Sequence, residues 1–323
     1  MYLDDKVILL TGATGSFGHT FCKAVLANAN PHAIRALSRD EDMQWEMRQE
    51  FKDDNRLRFQ IGDIRDVDRL RRAMAGVDYV VHAAAMKQVP TCEYDPREAY
   101  LTNIQGTQNV IDAAIDCRVR RGIFLSTDKS VHASNLYGAT KLVAEKLFVQ
   151  GNVYSPETRF ACVRYGNVMG SRGSVIPLFL RQRTQGCLTI TDERMCRFWI
   201  TKEEGVHFVI DCLERMHGGE IFVPKIGRAT VAALADAIAP DTPRKITGIR
   251  PGEKLSEVLI TEEEARHSRE FDSFYVIDPE LPYWGYKPIE GGKPLPDGFQ
   301  YASDRDSEML SVEELKNKLK TCS

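Results

Sequence analysis

The sequence lacks long apolar runs, paired cysteines and an excess of charge of one sign. No apolar stretch approaches the roughly 18 residues needed to cross a bilayer, so we expect no membrane partner. The eight cysteines are scattered without a C-x-x-C pair, which argues against a zinc site and against the disulfide framework of a small secreted domain. Lys and Arg together number 43 against 46 Asp and Glu, and such a balance does not favour nucleic-acid binding.

The N-terminus also lacks the architecture of a signal peptide, because residues 1–6 lead directly into a strand-like segment. Together with the scattered cysteines, this predicts a protein of the cytoplasm, which is a reducing compartment. The histidines show no metal-ligand spacing, so we predict no metal site. The chain does have 323 residues, 43% of them hydrophobic, which is enough for one large domain or two smaller ones.

The first 165 residues alternate short β-rich segments with amphipathic segments. The predicted strands are Lys6–Thr11, Ala33–Leu37, Leu57–Ile61, Asp78–His82, Gly122–Leu125 and Arg159–Arg164. The predicted helices are Phe17–Ala27, Glu41–Phe51, Val67–Met74, Ala99–Cys117 and Tyr137–Phe148. Alternation of this kind indicates βαβ units with right-handed crossovers. We therefore predict an α/β fold built on a Rossmann-type, doubly wound parallel sheet.

Beyond residue 165 glycine and proline recur up to residue 186, a pattern typical of loops that reach over a site. Thr201–Met216 is predicted to be a helix, which Thr201 caps with Glu204 three residues on. One more strand is predicted at Glu220–Val223. We expect a smaller substrate-binding domain, residues 166–199 and 226–323, interleaved with a larger cofactor-binding domain, residues 1–165 and 200–225.

The segment between the first strand and the first helix carries glycines at G-x-x-G-x-x-G spacing. Glycines let the backbone approach a pyrophosphate closely, and a helix N-terminus offers free N–H groups and a positive dipole end. Because the segment has a strand–turn–helix context, it favours a dinucleotide site over an ordinary glycine-rich turn. The predicted cofactor-binding residues of this loop are Gly12, Thr14, Gly15, Ser16, Phe17 and Gly18.

The end of the second strand distinguishes NADP from NAD. An acidic side chain there binds the ribose 2′-hydroxyl and repels a 2′-phosphate, whereas this chain has Ser38 and Arg39, which can donate to a phosphate. NADP is therefore predicted, although the acidic Asp40 follows directly. Asp63, after the third strand, either contacts adenine or caps the next helix. The predicted cofactor-binding set is completed by Ile64, Ala83, Ala84 and Lys87.

Tyr137 and Lys141 lie four residues apart at a predicted helix start and therefore share one helix face. An ammonium beside a phenol lowers the pKa of the phenol toward neutrality. The phenolate can then take the proton of a hydroxyl whose carbon gives hydride to nicotinamide, so both residues also belong to the predicted cofactor site. Thr127, Asp128 and Lys129 follow the fifth strand and complete the predicted catalytic set.

In combination these motifs resemble the extended short-chain dehydrogenase/reductases, and within them the nucleotide-sugar 4,6-dehydratases. The similarity is strongest to the configuration-inverting UDP-N-acetylglucosamine 4,6-dehydratases of pseudaminic acid biosynthesis. The segments that carry it are TGATGSFG (11–18), GDIRD (62–66), HAAAMKQVP (82–90), TNIQGTQNVI (102–111), STDK (126–129), NLYGATKL (135–142), VRYGNVMGSRGSVIP (163–177), ITDERMCRFWIT (190–201) and RPGEK (250–254).

The resemblance implies a dehydration in which Tyr137, with Thr127 and Lys141, assists oxidation at C4 of the sugar. Lys129 stands where the dTDP-glucose dehydratases have glutamate, and the resemblance implies that it removes the C5 proton as a neutral amine. Asp128, kept protonated, donates to the departing C6 hydroxyl. Return of hydride to C6 and of a proton to the opposite face of C5 gives an inverted 6-deoxy-4-keto sugar, and NADP is regenerated in each cycle.

The resemblance also implies the substrate-binding residues Lys87, Asn167, Arg172, Arg194, Arg250 and Glu253. For any one of these arginines, a surface ion pair is the alternative. The loop before Tyr137 departs from the Asn-Pro of the family, since this chain has His132 and Ala133 there. This departure is interpreted either as drift in a surface loop or as a change near the site. The implied partner is UDP-N-acetylglucosamine, and the implied assembly is a homo-oligomer, either a dimer or a hexamer.

Two other functions remain open at this point. A retaining dehydratase or a C4/C5 epimerase on a related nucleotide sugar shares the oxidation at C4. Lys129 favours dehydration, because simple 4-epimerisation needs no acid–base pair at C5 and C6. A catalytically silent cofactor-binding module is the other alternative, and the presence of Asp128, Tyr137 and Lys141 argues against it.

Overall fold

The computed structural model describes residues 2–305 and 307–321 of the chain. The elements of the first half are β1 Val7–Thr11, α1 Ser16–Asn28, β2 Ala33–Ser38, α2 Glu41–Glu50, β3 Leu57–Ile61, α3 Val67–Met74, β4 Tyr79–His82, α4 Val89–Tyr94, α5 Pro96–Tyr100, α6 Gly106–Asp116, β5 Arg121–Leu125, α7 Leu136–Gln150 and β6 Arg159–Val163. A π-helical turn, Leu101–Gln105, joins α5 to α6, and 3-10 turns cover Asp128–Ser130 and Gly151–Val153. The predicted strands and helices are confirmed to within two residues, except that the helix predicted at Ala99–Cys117 consists of several helical pieces in succession.

The second half has shorter elements. They are β7 Asn167–Val168, α8 Val175–Gln185, β8 Leu188–Ile190, β9 Cys196–Ile200, α9 Lys202–Arg215, β10 Ile221–Pro224, β11 Arg228–Thr230, α10 Val231–Ile238, β12 Arg244–Ile246, β13 Val258–Ile260, α11 Glu262–Ala265, β14 Ser268–Glu270, β15 Phe274–Ile277, β16 Lys293–Pro294, β17 Tyr301–Ala302 and α12 Val312–Lys320. Thr201 caps α9 in a capping box with Glu204, as the sequence predicts.

Within the described residues, ten strands form one large sheet in the order β16-β14-β15-β10-β6-β5-β4-β1-β2-β3. The parallel part of the sheet consists of the neighbouring strands β10, β6, β5, β4, β1, β2 and β3. Beyond β10, β15, β14 and β16 extend the sheet with antiparallel pairing. The predicted Rossmann-type sheet is thereby confirmed. The chain order reverses between β1 and β4, and such a switch point leaves a crevice at the carboxyl ends of the strands.

In the described part of the chain, three smaller sheets, β11-β9-β7, β8-β12 and β13-β17, lie outside the large one. Their strands come from residues 167–302, which include most of the predicted smaller domain. The large sheet also contains β14, β15 and β16, so residues 226–323 contribute to the large sheet as well as to the smaller sheets. The division into two domains therefore stays a prediction.

The central strand β1 is buried on both faces of the sheet. Ile8, Leu9 and Leu10 have no exposed surface. Ile8 and Leu10 pack with α1 and α9 on one face, whereas Leu9 packs with α3, α6 and α7 on the other. A continuous apolar run is what a central parallel strand requires. No helix in residues 2–305 and 307–321 has the length and apolar character of a membrane span.

A buried ion network joins the end of β6 to α7 and α11. Arg164, only 1% exposed, donates to the Glu145 carboxylate at 2.6 and 3.2 Å and to both oxygens of Glu264 at 2.9 Å. Burial by itself would lower the pKa of Arg164, but the two carboxylates raise it above its usual value. The network therefore fixes α7, the helix that presents two of the predicted catalytic residues.

Candidate active site

A cleft of about 780 Å³ lies at the carboxyl ends of the parallel strands. Most of the predicted residues of the phosphate loop, the second strand end and the catalytic segment line this one cavity. Gly18, Asp128 and Arg194 are the predicted site residues that do not line it. In residues 2–305 and 307–321, no group of His, Cys, Asp and Glu side chains is arranged to hold a metal ion.

The phosphate loop packs closely against the backbone that follows β4. Gly12 has a φ of +68°, and a Cβ there would lie 2.8 Å from the Ala84 nitrogen, so a side chain is excluded. Gly18 lies behind the loop, where a Cβ would come within 2.4 Å of the Ala13 oxygen. Gly15 precedes α1 without a side-chain cap, so the first N–H groups of the helix are available to an anion in the cleft.

The end of β2 presents a basic side chain to the cleft. The Arg39 side chain is 60% exposed. Asp40 accepts the N–H of Met43 at 2.9 Å and caps α2, which gives this carboxylate a structural role. Ser38 is buried, and its hydroxyl accepts a hydrogen bond from the Gln44 amide at 2.9 Å. Arg39 is therefore the group at this strand end that can receive an anionic ligand.

Asp63 follows β3 and lies 3.9 Å from Arg39. It pairs with Arg65 at 2.6 Å. Burial by itself would raise the pKa of Asp63, but Arg65 and then Arg39 lower it below its usual range. The cap of α3 is Asp66, which accepts the N–H of Arg69 at 2.9 Å. The alternative that Asp63 caps this helix is therefore wrong.

Tyr137 and Lys141 both line the cleft from α7, but the two side chains interact differently from the prediction. The Lys141 ammonium donates to the Leu125 carbonyl at 2.5 Å, and burial lowers the pKa of Lys141 to about 7. Burial raises the pKa of Tyr137 to about 12, and the opposing influences are the charge of Lys129 and a hydrogen bond with Thr127. The cation that favours the Tyr137 phenolate in this structure is therefore Lys129, because Lys141 directs its ammonium to the backbone.

Asp128 and Lys129 form a contact pair on the 3-10 turn after β5. The Lys129 Nζ donates to Asp128 Oδ1 at 3.0 Å and to Asn167 Oδ1 at 3.2 Å. The Thr127 hydroxyl donates to the same Asp128 oxygen at 3.0 Å. The other oxygen, Oδ2, is buried and has no hydrogen-bond partner among the described residues. Asp128 thus lies behind Lys129, fully buried, which explains why it does not line the cleft.

Lys129 lies between two carboxylates, one of which the sequence did not indicate. Glu257 Oε1 is 3.7 Å from the Lys129 Nζ, and Glu257 is only 3% exposed. Burial by itself would lower the pKa of Lys129, but Asp128 and Glu257 raise it above its usual value. No motif or spacing relates Glu257 to a residue so distant along the chain, so no signal in the sequence could have found it.

Arg172 contacts the phosphate loop. Its backbone N–H donates to the Ser16 hydroxyl at 3.0 Å, and its guanidinium lies 3.3 Å from the Thr14 carbonyl oxygen and 3.2 Å from the Met43 sulfur. Desolvation lowers the pKa of Lys87, and the charge of Arg172 adds to this effect. The structure therefore places Arg172 beside the predicted cofactor residues, although the resemblance implies a substrate role.

The remaining predicted substrate residues divide into two groups. Arg194 lies outside the cleft, where its side chain is 72% exposed and pairs with Asp192 at 2.8 Å; the surface ion pair is the interpretation the structure favours. Arg250 and Glu253 line the cleft 3.9 Å apart. Asn167 also lines it, at the start of β7, where its Oδ1 accepts from the Lys129 ammonium.

Comparison with known proteins places this fold and site among enzymes of sugar metabolism. A family model described as polysaccharide biosynthesis protein matches residues 8–279. A Campylobacter jejuni protein (serotype O:23/36, strain 81-176) named UDP-N-acetylglucosamine 4,6-dehydratase (inverting) is 49% identical, over 97% of this chain and 96% of the relative. A Rickettsia conorii protein named UDP-glucose 4-epimerase is 42% identical, over 98% of this chain and 96% of the relative.

Among solved structures, the X-ray structure of Pen from Bacillus thuringiensis is similar over nearly the whole chain. The TM-score is 0.92 and the sequence identity 39%, with 99% of both chains covered.

Proposed function

The chain belongs to the polysaccharide biosynthesis protein family, within the extended short-chain dehydrogenase/reductases, and from this premise we propose that it is a UDP-N-acetylglucosamine 4,6-dehydratase that inverts C5. The observation that carries the proposal is the contact of Asp128 with Lys129 near Tyr137. Elimination of water across C5 and C6 needs an acid–base pair at those carbons, whereas epimerisation at C4 does not. The Campylobacter relative named for this activity supports the substrate and the stereochemistry.

The residues around the phosphate loop fit a nicotinamide dinucleotide. The close approach of Gly12 to Ala84 forms a cradle that a Cβ would fill, and the uncapped start of α1 offers N–H groups to a pyrophosphate. When bound, a nicotinamide there would supply the hydride acceptor for C4 and the hydride donor for C6. Arg172, from the loop before α8, adds a positive charge beside Thr14 and Ser16.

Tyr137 is proposed to take the proton of the C4 hydroxyl. Because burial raises the pKa of this phenol to about 12, the phenolate depends on neighbours that stabilise its charge. The Thr127 hydroxyl supplies this stabilisation, because Lys129 favours the phenolate only while it is protonated and has to be neutral to act as the base. The ketone that forms at C4 makes the C5 proton acidic and prepares the elimination.

Lys129 is proposed to remove the C5 proton as a neutral amine, so that it becomes an ammonium and the electron pair moves onto the C4 oxygen as an enolate. Asp128 then protonates the C6 hydroxyl, which leaves as water while the C5–C6 double bond forms. The two proton transfers convert neutral Lys129 and neutral Asp128 into an ammonium and a carboxylate. These two groups can form an ion pair, because Lys129 Nζ and Asp128 Oδ1 lie 3.0 Å apart in the structure. A proton delivered to the opposite face of C5 completes the inversion.

We also propose that the cofactor is NADP and that Arg39 binds its 2′-phosphate. Arg39→Ala is expected to weaken NADP binding about ten- to hundred-fold, because a charge-assisted hydrogen bond to phosphate is lost, with little change in NAD binding. Titration of both dinucleotides against the apoprotein measures the ratio. Arg48→Ala is the matched control, since Arg48 lies on α2 and pairs with Asp53 at 4.0 Å. An equal loss for both dinucleotides would contradict the assignment.

The product is proposed to enter pseudaminic acid biosynthesis. The enzyme is proposed to act in the cytoplasm as a homo-oligomer, either a dimer or a hexamer. The family resemblance supports the pathway and the assembly. The cysteines in the described part of the chain are all free, which fits a reducing compartment. Residues 166–199 and much of 226–323 are proposed to form the substrate half.

The proposed reaction is tested by proton NMR of the purified protein with UDP-N-acetylglucosamine in D₂O, without added cofactor. We expect a new 6-methyl signal, deuterium at C5 and the coupling pattern of the L-arabino product. A methyl signal with the D-xylo pattern would assign a retaining dehydratase. A C4 epimer without a methyl signal would assign an epimerase, as the name of the Rickettsia relative suggests. An unchanged spectrum after NADP is supplied would refute the proposal.

A further inference from the structure

Glu257 is a buried carboxylate beside the cleft residue Lys129, and the proposed reaction assigns no part to it. It is 3% exposed, and its two oxygens face two different cations. Oε1 lies 3.7 Å from the Lys129 Nζ and Oε2 lies 3.4 Å from the Lys254 Nζ. The contact of Oε2 with Lys254 does not have hydrogen-bond geometry. Oε2 is fully buried and has no hydrogen-bond partner among the described residues. A carboxylate in such a place is costly to bury unless cations compensate its charge.

The backbone around Glu257 is fixed on one side by β9 and β17. The Glu257 N–H donates to the Ser303 hydroxyl at 2.9 Å, and the Ser303 N–H donates back to the Glu257 carbonyl at 2.8 Å. Arg197, on β9, donates to the carbonyls of Lys254 and Leu255 at 2.7 and 2.9 Å. The backbone position of Glu257 is therefore set by the fold and does not depend on the contact of its side chain with Lys129.

The segment of residues 252–257 is hydrogen-bonded to the loop between Lys129 and Tyr137. The Lys254 ammonium donates to the Val131 carbonyl at 2.8 Å. The Asn135 amide donates to the Gly252 carbonyl at 2.9 Å, and Asn135 itself caps α7. Residues 252–257 thus hold the acid–base turn and the start of the tyrosine helix in one arrangement.

The charge balance around Lys129 depends on several elements. The charged and titratable groups that face it are Asp128 on its own turn, Tyr137 on α7, Arg197 on β9, and Lys254 and Glu257 from the segment before β13. Arg197 opposes the protonation of Lys129, whereas both carboxylates favour it. Asp128 has its own task in the elimination, since it loses a proton in the same step. Glu257 is therefore the carboxylate whose negative charge stays constant while Lys129 gains the C5 proton.

We propose that Glu257 is a positioning residue of the reaction, whose fixed carboxylate holds the Lys129 side chain toward the sugar and strengthens it as the base for the C5 proton. The inference rests on the proposed role of Lys129. The carboxylate stabilises the ammonium that forms when the C5 proton is taken, and it also makes the neutral amine scarcer at low pH. Removing its charge has two consequences: Lys129 deprotonates at lower pH, and it becomes a weaker base once deprotonated.

The test is the pH dependence of kcat for dehydration in the wild type, Glu257→Gln and Glu257→Asp holoenzymes, followed by the 6-methyl signal. In the active form Asp128 and Lys129 share one proton, and activity falls at high pH when the pair loses it. Because the pKa of Lys129 is raised above its usual value, this alkaline fall follows Lys129. In Glu257→Gln we expect the fall to move to lower pH by about one unit, with a lower plateau. Glu257→Asp keeps the charge, so its fall stays near that of the wild type. Lys254→Gln removes the opposing cation, so its fall moves to higher pH.

The outcomes separate this inference from the proposed function. A wild type that produces no methyl signal at any pH overturns the function itself. A wild type that dehydrates, together with a Glu257→Gln profile that only falls in height, overturns the role of Glu257. If Glu257→Gln does not turn over, ¹³Cε-lysine NMR of the free protein gives the answer directly, with the Lys129 signal assigned by Lys129→Arg. An unshifted Lys129 titration in Glu257→Gln contradicts the proposal in that case.

Discussion

Lys129→Ala is expected to lower the rate of C5 proton exchange by about two to four powers of ten, while some oxidation at C4 continues, because the Thr127 hydroxyl still favours the Tyr137 phenolate. The reason is geometric: among the described residues, the Lys129 Nζ is the amine that contacts both Asp128 and the cleft residue Asn167. Without it the C4 ketone forms and is not consumed by elimination. Deuterium incorporation at C5 measures the first effect, and the absorbance of bound reduced nicotinamide measures the second.

Lys225→Ala is the matched control for this variant. Lys225 is also a partly exposed lysine in an ion pair, with Glu270 at 2.7 Å, but it does not line the cleft. Its C5 exchange should equal that of the wild type. Exchange that persists unchanged in Lys129→Ala would exclude this residue as the base, and Glu257 would then have no base to strengthen.

Arg164→Ala is expected to lower the free energy of unfolding by about 3–5 kcal/mol, because it leaves the buried Glu145 carboxylate and the partly buried Glu264 carboxylate without a cation. Glu145 is fully buried, and both oxygens of Glu264 accept from the same guanidinium. The midpoint and slope of urea unfolding, followed by circular dichroism, give this value. Arg71→Ala serves as the control, since Arg71 forms its two ion pairs at the exposed surface and should change stability far less.

A second variant distinguishes charge from packing in this network. Replacing Arg164, Glu145 and Glu264 together by apolar residues of similar size removes every buried charge at once. Such a replacement is expected to recover much of the stability that Arg164→Ala loses. If the triple variant is as unstable as the single one, shape and not ionic pairing is what the network provides.

Much of the site was predictable because side chains at the carboxyl ends of parallel strands meet at one edge of the sheet. Gly12, Arg39, Thr127 and Lys129 each follow a strand whose bounds the sequence indicates to within two residues. Their convergence on one cleft therefore follows from the strand order alone. The fold itself was predictable for the same reason, since alternating strands and helices admit few topologies.

The contacts made by loops and by the second half of the chain were not predictable. Glu257 reaches Lys129 because β13 pairs with β17, a tertiary arrangement that leaves no local trace in sequence. The resemblance implies a substrate role for both Arg172 and Arg194, but the first contacts the phosphate loop and the second pairs with a neighbour two residues away. Periodicity and spacing describe each element singly, whereas these contacts depend on how separate elements pack.

The contact of Arg172 with the phosphate loop has a consequence for how long a cofactor remains in the cleft. The loop that carries Arg172 lies in the predicted substrate half, but it donates hydrogen bonds to Ser16 and Thr14 of the phosphate loop. A dinucleotide held by the start of α1, as proposed, is expected to leave only after these hydrogen bonds open. The proposed reaction has no net oxidation, so a dinucleotide retained in this way would serve many successive sugars.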